Sequence, residues 1–212
     1  MIYSKPANKT FILKVRRDFV MCAGLLKDVL VSDLLPGDRR LYLFHERTSL
    51  LFWIAANINL PEANRALLLI IYEERLKQVF SEFISVMESA MGDPVDGMKI
   101  ISLEITKTLL ESQPEGESRL LQILVNKLGD PKAKVVNKSI ALLTDLLRKH
   151  PNMQEVVAYE VESYLYRSGQ SQTSIYSAIS FLNQLVFSSD RHEVPSRLLN
   201  LYFEFFTSEV RV

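Results

Sequence analysis

The sequence has one cysteine, seven glycines and eight prolines in 212 residues, and each scarcity removes a class of protein. A lone Cys22 excludes a disulfide framework and a cysteine zinc site, and points to a reducing compartment. So little glycine and proline excludes collagen and flexible linker proteins. No charge of either sign is in excess, since 25 basic residues balance 25 acidic ones. Attraction to nucleic acid or to an acidic membrane must therefore come from a local patch. Long apolar runs are missing too: stretches such as Ala66 to Ile71 fall far short of the roughly 20 residues that cross a bilayer, and Phe19 to Leu35 is broken by Lys27, Asp28 and Asp33. Met1 to Lys9 is polar and has no signal core, so a non-secreted protein is expected and the sequons at Asn8 and Asn137 carry no meaning.

What the chain does have is apolar residues, 48% of the total, enough to bury a core. Their spacing is helical nearly throughout, and no period-two alternation bounded by hairpin turns is found, so the expected fold is all α. Met98, Ile101, Ile105 and Leu109 fall on one helix face that stops before Pro114. Leu120, Leu121, Leu124, Val125 and Leu128 make the stripe of the next helix, and Gly129 is placed to end it in a left-handed conformation.

The punctuation then returns 37 residues later: Asp93-Pro94 as Asp130-Pro131, and Gln113-Pro114 as His150-Pro151. The same offset superposes Met98 on Val135, Leu103 on Ile140, Ile105 on Leu142, and Leu109 and Leu110 on Leu146 and Leu147. In each copy the aspartate is expected as N-cap, with proline at the first helical position. A looser third copy, offset by 39, brings Leu142, Leu143, Leu146 and Leu147 onto Phe181, Leu182, Leu185 and Val186. Helix pairs at this period suit a HEAT or armadillo-like, right-handed α-solenoid, in which each pair buries its face against its neighbours. The whole of 1–212 is expected as one such segment of a longer protein: an N-terminal helix plus irregular connection over 1–61, and helical repeats over 62–206. Phe11 to Leu35 and Arg65 to Met91 read as longer helices. The connection from Pro36 to Leu60 holds Leu41, Leu43, Phe44, Leu51, Phe52 and Trp53, which makes it too apolar for a solvated linker, so it is expected to pack on the repeats.

The chemistry on offer is sparse. Gly92 and Gly97 have the spacing of a phosphate-binding loop, but Met98 stands in place of its lysine and no strand precedes it, so the repeat turn is the better reading. His45, His150 and His192 lie in separate segments, Cys22 has no base nearby in sequence, and Glu73 and Glu74 point about 100° apart on a helix and read as solvated surface. No catalytic, cofactor or metal site and no small-molecule substrate is expected. Lys127, Lys132, Lys134 and Lys138 surround the Gly129 turn, joined at the far end of the next helix by Arg148 and Lys149. They form a candidate ridge for RNA, where each phosphate contact adds about one unit of salt dependence. Arg16, Arg17, Arg39 and Arg40 are weaker candidates. The segment holding Leu198, Leu201, Tyr202, Phe203, Phe205 and Phe206 is apolar all round, so a partner or a next repeat is expected to cover it, the latter being preferred.

Particular strings add to the periodicity. Leu25 to Pro36, Leu124 to Pro131 (Leu-Val-Asn-Lys-Leu-Gly-Asp-Pro), Lys149 to Met153 (Lys-His-Pro-Asn-Met), Ser180 to Val186 and Leu198 to Phe206 occur in that order. With Tyr72 to Lys77 they make the chain, from about Phe19 to Phe206, resemble the CCAAT-binding-factor family of nucleolar proteins. Met1 to Phe11 matches nothing in that pattern, and the long charged tails of the family are missing. The resemblance implies a non-catalytic assembly factor of the large ribosomal subunit. It would act in the nucleolus and nucleus on pre-ribosomal particles, paired with a homologue of nucleolar complex protein two, with no membrane and no cofactor. The alternatives are a CCAAT-type DNA-binding regulator, which no groove-reading helix here supports, and a generic helical-repeat adaptor.

Overall fold

The computed structural model describes residues 6–185 and 193–210, and within them the side chains of 16–185, 195–205 and 207. All regular structure among the described residues is helical. It falls into two compact units, Met1–Glu117 and Ser118–Val212.

In the first unit, α1 (Pro6–Val29) runs into a π-helical turn, Leu30–Leu34, closed by Leu35 N–H donating to the Leu30 carbonyl at 3.0 Å. The segment expected to be irregular contains a helix, α2 (Thr48–Ala56), entered through a 3-10 turn at Phe44–Arg47. It packs through Ile54, Leu50 and Leu51 on Ala63, Leu67 and Ile70 of α3 (Pro61–Ala90). Phe52 and Trp53, expected inside, are exposed because the short α2 buries only one stripe, and Phe44 is exposed in the turn before it. α3 starts with Pro61 at its first position, four residues ahead of the expected start. Both α1 and α3 pack against α4 (Asp96–Ser112). The turn after α4 requires Gly116. Its φ is +69°, and an added Cβ would sit 2.9 Å from Ile84 Cδ1.

The second unit holds α5 (Glu117–Asn126, its first residue in the other unit), a 3-10 turn at Lys127–Gly129, α6 (Ala133–Lys149), α7 (Gln154–Leu165), α8 (Gln172–Leu182) and α9 (Glu193–Val210). The helix boundaries keep the period read from the sequence. α6 begins and ends 37 residues after α4, and α7 begins 37 residues after α5. α8 and α9 begin 39 residues after α6 and α7.

The entry turns differ from expectation in the same way in both copies. Asp93 and Asp130 are not N-caps, and the prolines stand before the helices. The caps are Val95 and Lys132, both extended and without a side-chain cap bond. Each aspartate instead accepts the N–H two residues on, from Val95 at 2.7 Å and from Lys132 at 3.0 Å. This is the Asx turn, which competes with capping for the same oxygen. Gly129 also departs from expectation. Only Gly116 and Gly169 have positive φ among the described residues, so Gly129 holds its turn for another reason.

Within the matched helices Ser102 and Ser139 occupy equivalent positions, both fully buried. Ser139 donates to the Leu124 carbonyl at 2.7 Å, whereas the Ser102 hydroxyl has no partner among the described residues. One residue type in one register should therefore give two outcomes. Ser139→Ala is expected to lose about 1 kcal/mol, and Ser102→Ala to be neutral or to gain a similar amount, since it removes an unpaired buried group. Urea unfolding of the two variants checks this, and equal losses would refute it.

Candidate functional site

Among the described residues no group of three or more His, Cys, Asp and Glu is placed to hold a metal ion, and no helix is long and apolar enough to cross a membrane. His45 lies in the 3-10 turn before α2, and His150 closes α6 by donating its N–H to the Leu146 carbonyl at 2.8 Å. His192 lies outside the described residues.

The cations read as a ridge divide into two kinds. Lys127 Nζ lies 3.4 Å from Asp130 Oδ2, and that carboxylate is 2% exposed, so this lysine compensates a buried charge at the turn. Arg148 and Lys149 both pair with Asp145 one turn back on α6. Lys132 and Lys134 are exposed at the start of α6 and have no ion-pair partner among the described residues, while Lys138, one turn on, is half-buried. A shallow groove of about 570 Å³ with mixed lining runs along α6, bordered by Asn137, Ile140, Thr144, Arg148 and Gln184.

Of the weaker basic candidates, Arg17 is exposed with no ion-pair partner among the described residues, and the other three are structural. Arg16 of α1 pairs with Asp93 at 3.1 Å. Arg40 pairs with Glu117 at 2.7 Å and donates to the Pro114 carbonyl. Arg39 and Arg47 converge on Glu73 at 2.8 and 2.6 Å, and both guanidiniums lie over the Tyr42 ring. Glu73 is thus not the solvated surface residue that was expected; its side chain is 12% exposed. Burial pushes its carboxyl up, but the Arg39 hydrogen bond and the charges of Arg47 and Arg39 outweigh that and hold it below its ordinary value. A second cluster forms one turn further along α3, where Glu115, also buried, accepts the Leu41 N–H at 2.7 Å and Lys77 donates to the Leu41 carbonyl at 2.8 Å. These two clusters fasten residues 39–47 to α3 and to the turn after α4.

The C-terminal apolar segment is not uniformly exposed. Leu198 and Leu201 of α9 are buried, and Tyr202 is half-buried. Phe205 meets Tyr166 ring to ring at 6.2 Å, and the Phe206 side chain lies outside the described residues. Phe203 and Leu199 remain exposed, facing Tyr176, Ile175 and Ile179 of α8 across an open groove of about 800 Å³. Tyr166 donates to Glu204 at 2.8 Å and Arg197 pairs with Glu162, so polar ties at two points fix α9 to the α7 segment.

The centre of this unit is the Gly129 turn. An added Cβ would lie 2.0 Å from Tyr164 Oη and 3.2 Å from Ser174 Oγ, so glycine is required by close approach. Burial, the dominant influence, raises the Tyr164 hydroxyl's pKa, against the Ser174 hydrogen bond and the Arg167 charge.

This turn carries part of the string Leu124 to Pro131, one of those on which the resemblance rests, and comparison with known proteins agrees with that resemblance. Over 196 residues, 92% of its length, the chain is 37% identical to CCAAT/enhancer-binding protein zeta of Homo sapiens. It is 33% identical over 205 residues, 91% of the chain, to ribosome biogenesis protein NOC1 of Chaetomium thermophilum. Over most of its length the chain thus resembles members of the CCAAT-binding-factor family. Nucleolar complex protein 1 of Drosophila melanogaster is a further relative, 32% identical over 86% of the chain. The chain spans 19%, 20% and 16% of these three relatives, about a fifth of their length. No protein-family model matches it. Two of the family names refer to the nucleolus or to ribosome biogenesis, and the third to CCAAT elements.

Proposed function

We propose that this chain is a helical-repeat scaffold of a large-subunit assembly factor, acting without catalysis in the nucleolus and nucleus. The observation that carries the reading is the helix pair recurring at 37 and then 39 residues, the first two copies behind matched aspartate turns, in a chain with relatives named for ribosome biogenesis and the nucleolar complex. Such pairs stack as an α-solenoid of the HEAT or armadillo kind, offering long edges and faces for binding. The partners are a homologue of nucleolar complex protein two and the RNA or proteins of early precursor particles. Lys132, Lys134 and Lys138, with Lys127, Arg148 and Lys149 behind them, form the edge that meets phosphate. The α8 and α9 groove takes the next repeat or the partner.

Changing Lys132, Lys134 and Lys138 together to Glu is expected to abolish sedimentation with large-subunit precursors and to lower the thermal midpoint only slightly, because Lys132 and Lys134 are exposed and only Lys138 is half-buried. In an RNA-binding assay the salt slope should fall by about 0.7 for each phosphate that the variant no longer neutralises. Undiminished association of the triple variant would refute the ridge. A base-dependent affinity that survives competition by bulk DNA would instead favour a DNA-binding regulator.

A further inference from the structure

Exposed large apolar side chains crowd into one short part of the first unit: Phe52, Trp53, Ile58, Leu60, Leu68, Leu69, Ile71 and Tyr72 all lie in the α2–α3 hairpin. On α3 they have an order. Ala63, Leu67 and Ile70 face α2, while Leu68, Leu69 and Tyr72, each more than half exposed, form a stripe on the opposite side. Arg65 stands one turn before this stripe and Arg75 one turn after it, about 15 Å apart along the axis. Arg65 has no charged partner among the described residues, and Arg75 has only the Gln78 amide oxygen at 3.1 Å. An apolar stripe between two uncompensated guanidiniums calls for its complement.

We propose that this face of α3 docks an amphipathic helix of a partner protein carrying two carboxylates about three turns apart, with apolar residues between them. Leu68, Leu69 and Tyr72 bury against the apolar stripe, and each arginine takes one carboxylate in a forked pair. Glu62 lies one turn before Arg65, so a third carboxylate beyond that end would be repelled, which confines the partner's acidic pair to the span between the arginines. The proposal rests on reading the chain as a scaffold for protein partners, and it holds whether or not the particle bound is ribosomal.

The test is a photoreactive phenylalanine analogue at Leu68 of the full-length protein, irradiated in its own cells, with the attachment point mapped by mass spectrometry. The expected product joins Leu68 to a helical segment of another protein with acidic residues flanking an apolar stripe. Arg65→Glu with Arg75→Glu should lower the yield about tenfold or more, and changing the partner's two carboxylates to lysine should restore it. Attachment only to RNA, to lipid or to a second copy of the chain, no attachment, or yield indifferent to the charge reversal would each overturn the proposal. Sedimentation of the unmodified protein, run in parallel, reads the ribosomal assignment separately.

Discussion

Gly129→Ala is expected to destabilise the second unit by about 3 kcal/mol or more. An alanine replacing a glycine of ordinary φ usually adds about 0.4–1 kcal/mol of stability by restricting the unfolded chain. Here the new methyl would lie 2.0 Å from Tyr164 Oη, well inside contact distance. Tyr164 is 3% exposed, so its ring has no solvent to retreat into. Forcing it aside costs about 1–3 kcal/mol in packing, and separating its hydroxyl from Ser174 adds the cost of an unpaired buried group, again about 1–3 kcal/mol. At about 2–4 °C per kcal/mol for a chain of this size, the midpoint should drop by roughly 6–12 °C. Tyr164→Phe in the same background removes the atom at 2.0 Å and leaves Cζ at 3.2 Å, so the double variant should recover part of the loss. Gly24→Ala in α1, where nothing lies within 4 Å, is the control and should gain about 0.5–1 kcal/mol. If the two glycine variants melt alike, the close approach at the turn does not exist in solution.

The second large effect is expected at Glu73. Breaking a fully buried ion pair costs about 3–5 kcal/mol. Arg39 and Arg47 are 40% and 21% exposed and keep part of their hydration, so Glu73→Ala should cost about 2 kcal/mol. The loss should appear as release of residues 39–47, because both guanidiniums belong to that segment and lie over Tyr42. The carboxyl is depressed in the folded state, so its contribution is complete above the unfolded value of 4.5 and is lost as the pH falls through the lower folded value. The stability difference between the wild type and Glu73→Gln should therefore shrink as the pH falls from 4.5 through the lower folded value. A difference that stays constant across that range would show that the arginines do not hold the carboxylate.

These two sites also show where reading the sequence succeeds and stops. The helix pairs are legible because their signals are local: apolar spacing within each helix, and aspartate, glycine and proline at its ends. The starts of α4 and α6, and of α5 and α7, keep the 37-residue offset set by those marks. The capping role expected of Asp93 and Asp130 fails on a local competition, since an oxygen that can cap a helix can equally close an Asx turn, and only backbone conformation shows which. Glu73 and Gly129 escape the sequence for a different reason. Their partners lie 26 and 34 residues away for the carboxylate, and 35 and 45 for the glycine, and no periodicity carries such contacts. For Gly129 the glycine itself is the only signal, and it suggests a left-handed turn. Of the cationic candidates, the sequence does not separate Lys127, which serves a buried aspartate, from Lys132 and Lys134, which face water.

The matched helices α4 and α6 share a length, an entry turn and several buried positions, among them Met98 with Val135 and Leu109 with Leu146, but not the whole of their interior. α4 buries Lys99, Ser102, Thr106 and Lys107, and 37 positions on α6 carries Val136, Ser139, Leu143 and Thr144. Lys107 reaches Glu111 on its own helix, so part of that polar content is answered locally. Two segments with the same outline and different linings are poor substitutes for each other. A chain that repeats itself risks pairing the wrong copies while it folds, and a graft of one helix into the other's place would set methyl groups where amines and hydroxyls belong. Unlike linings make that mistake unfavourable without changing the backbone period.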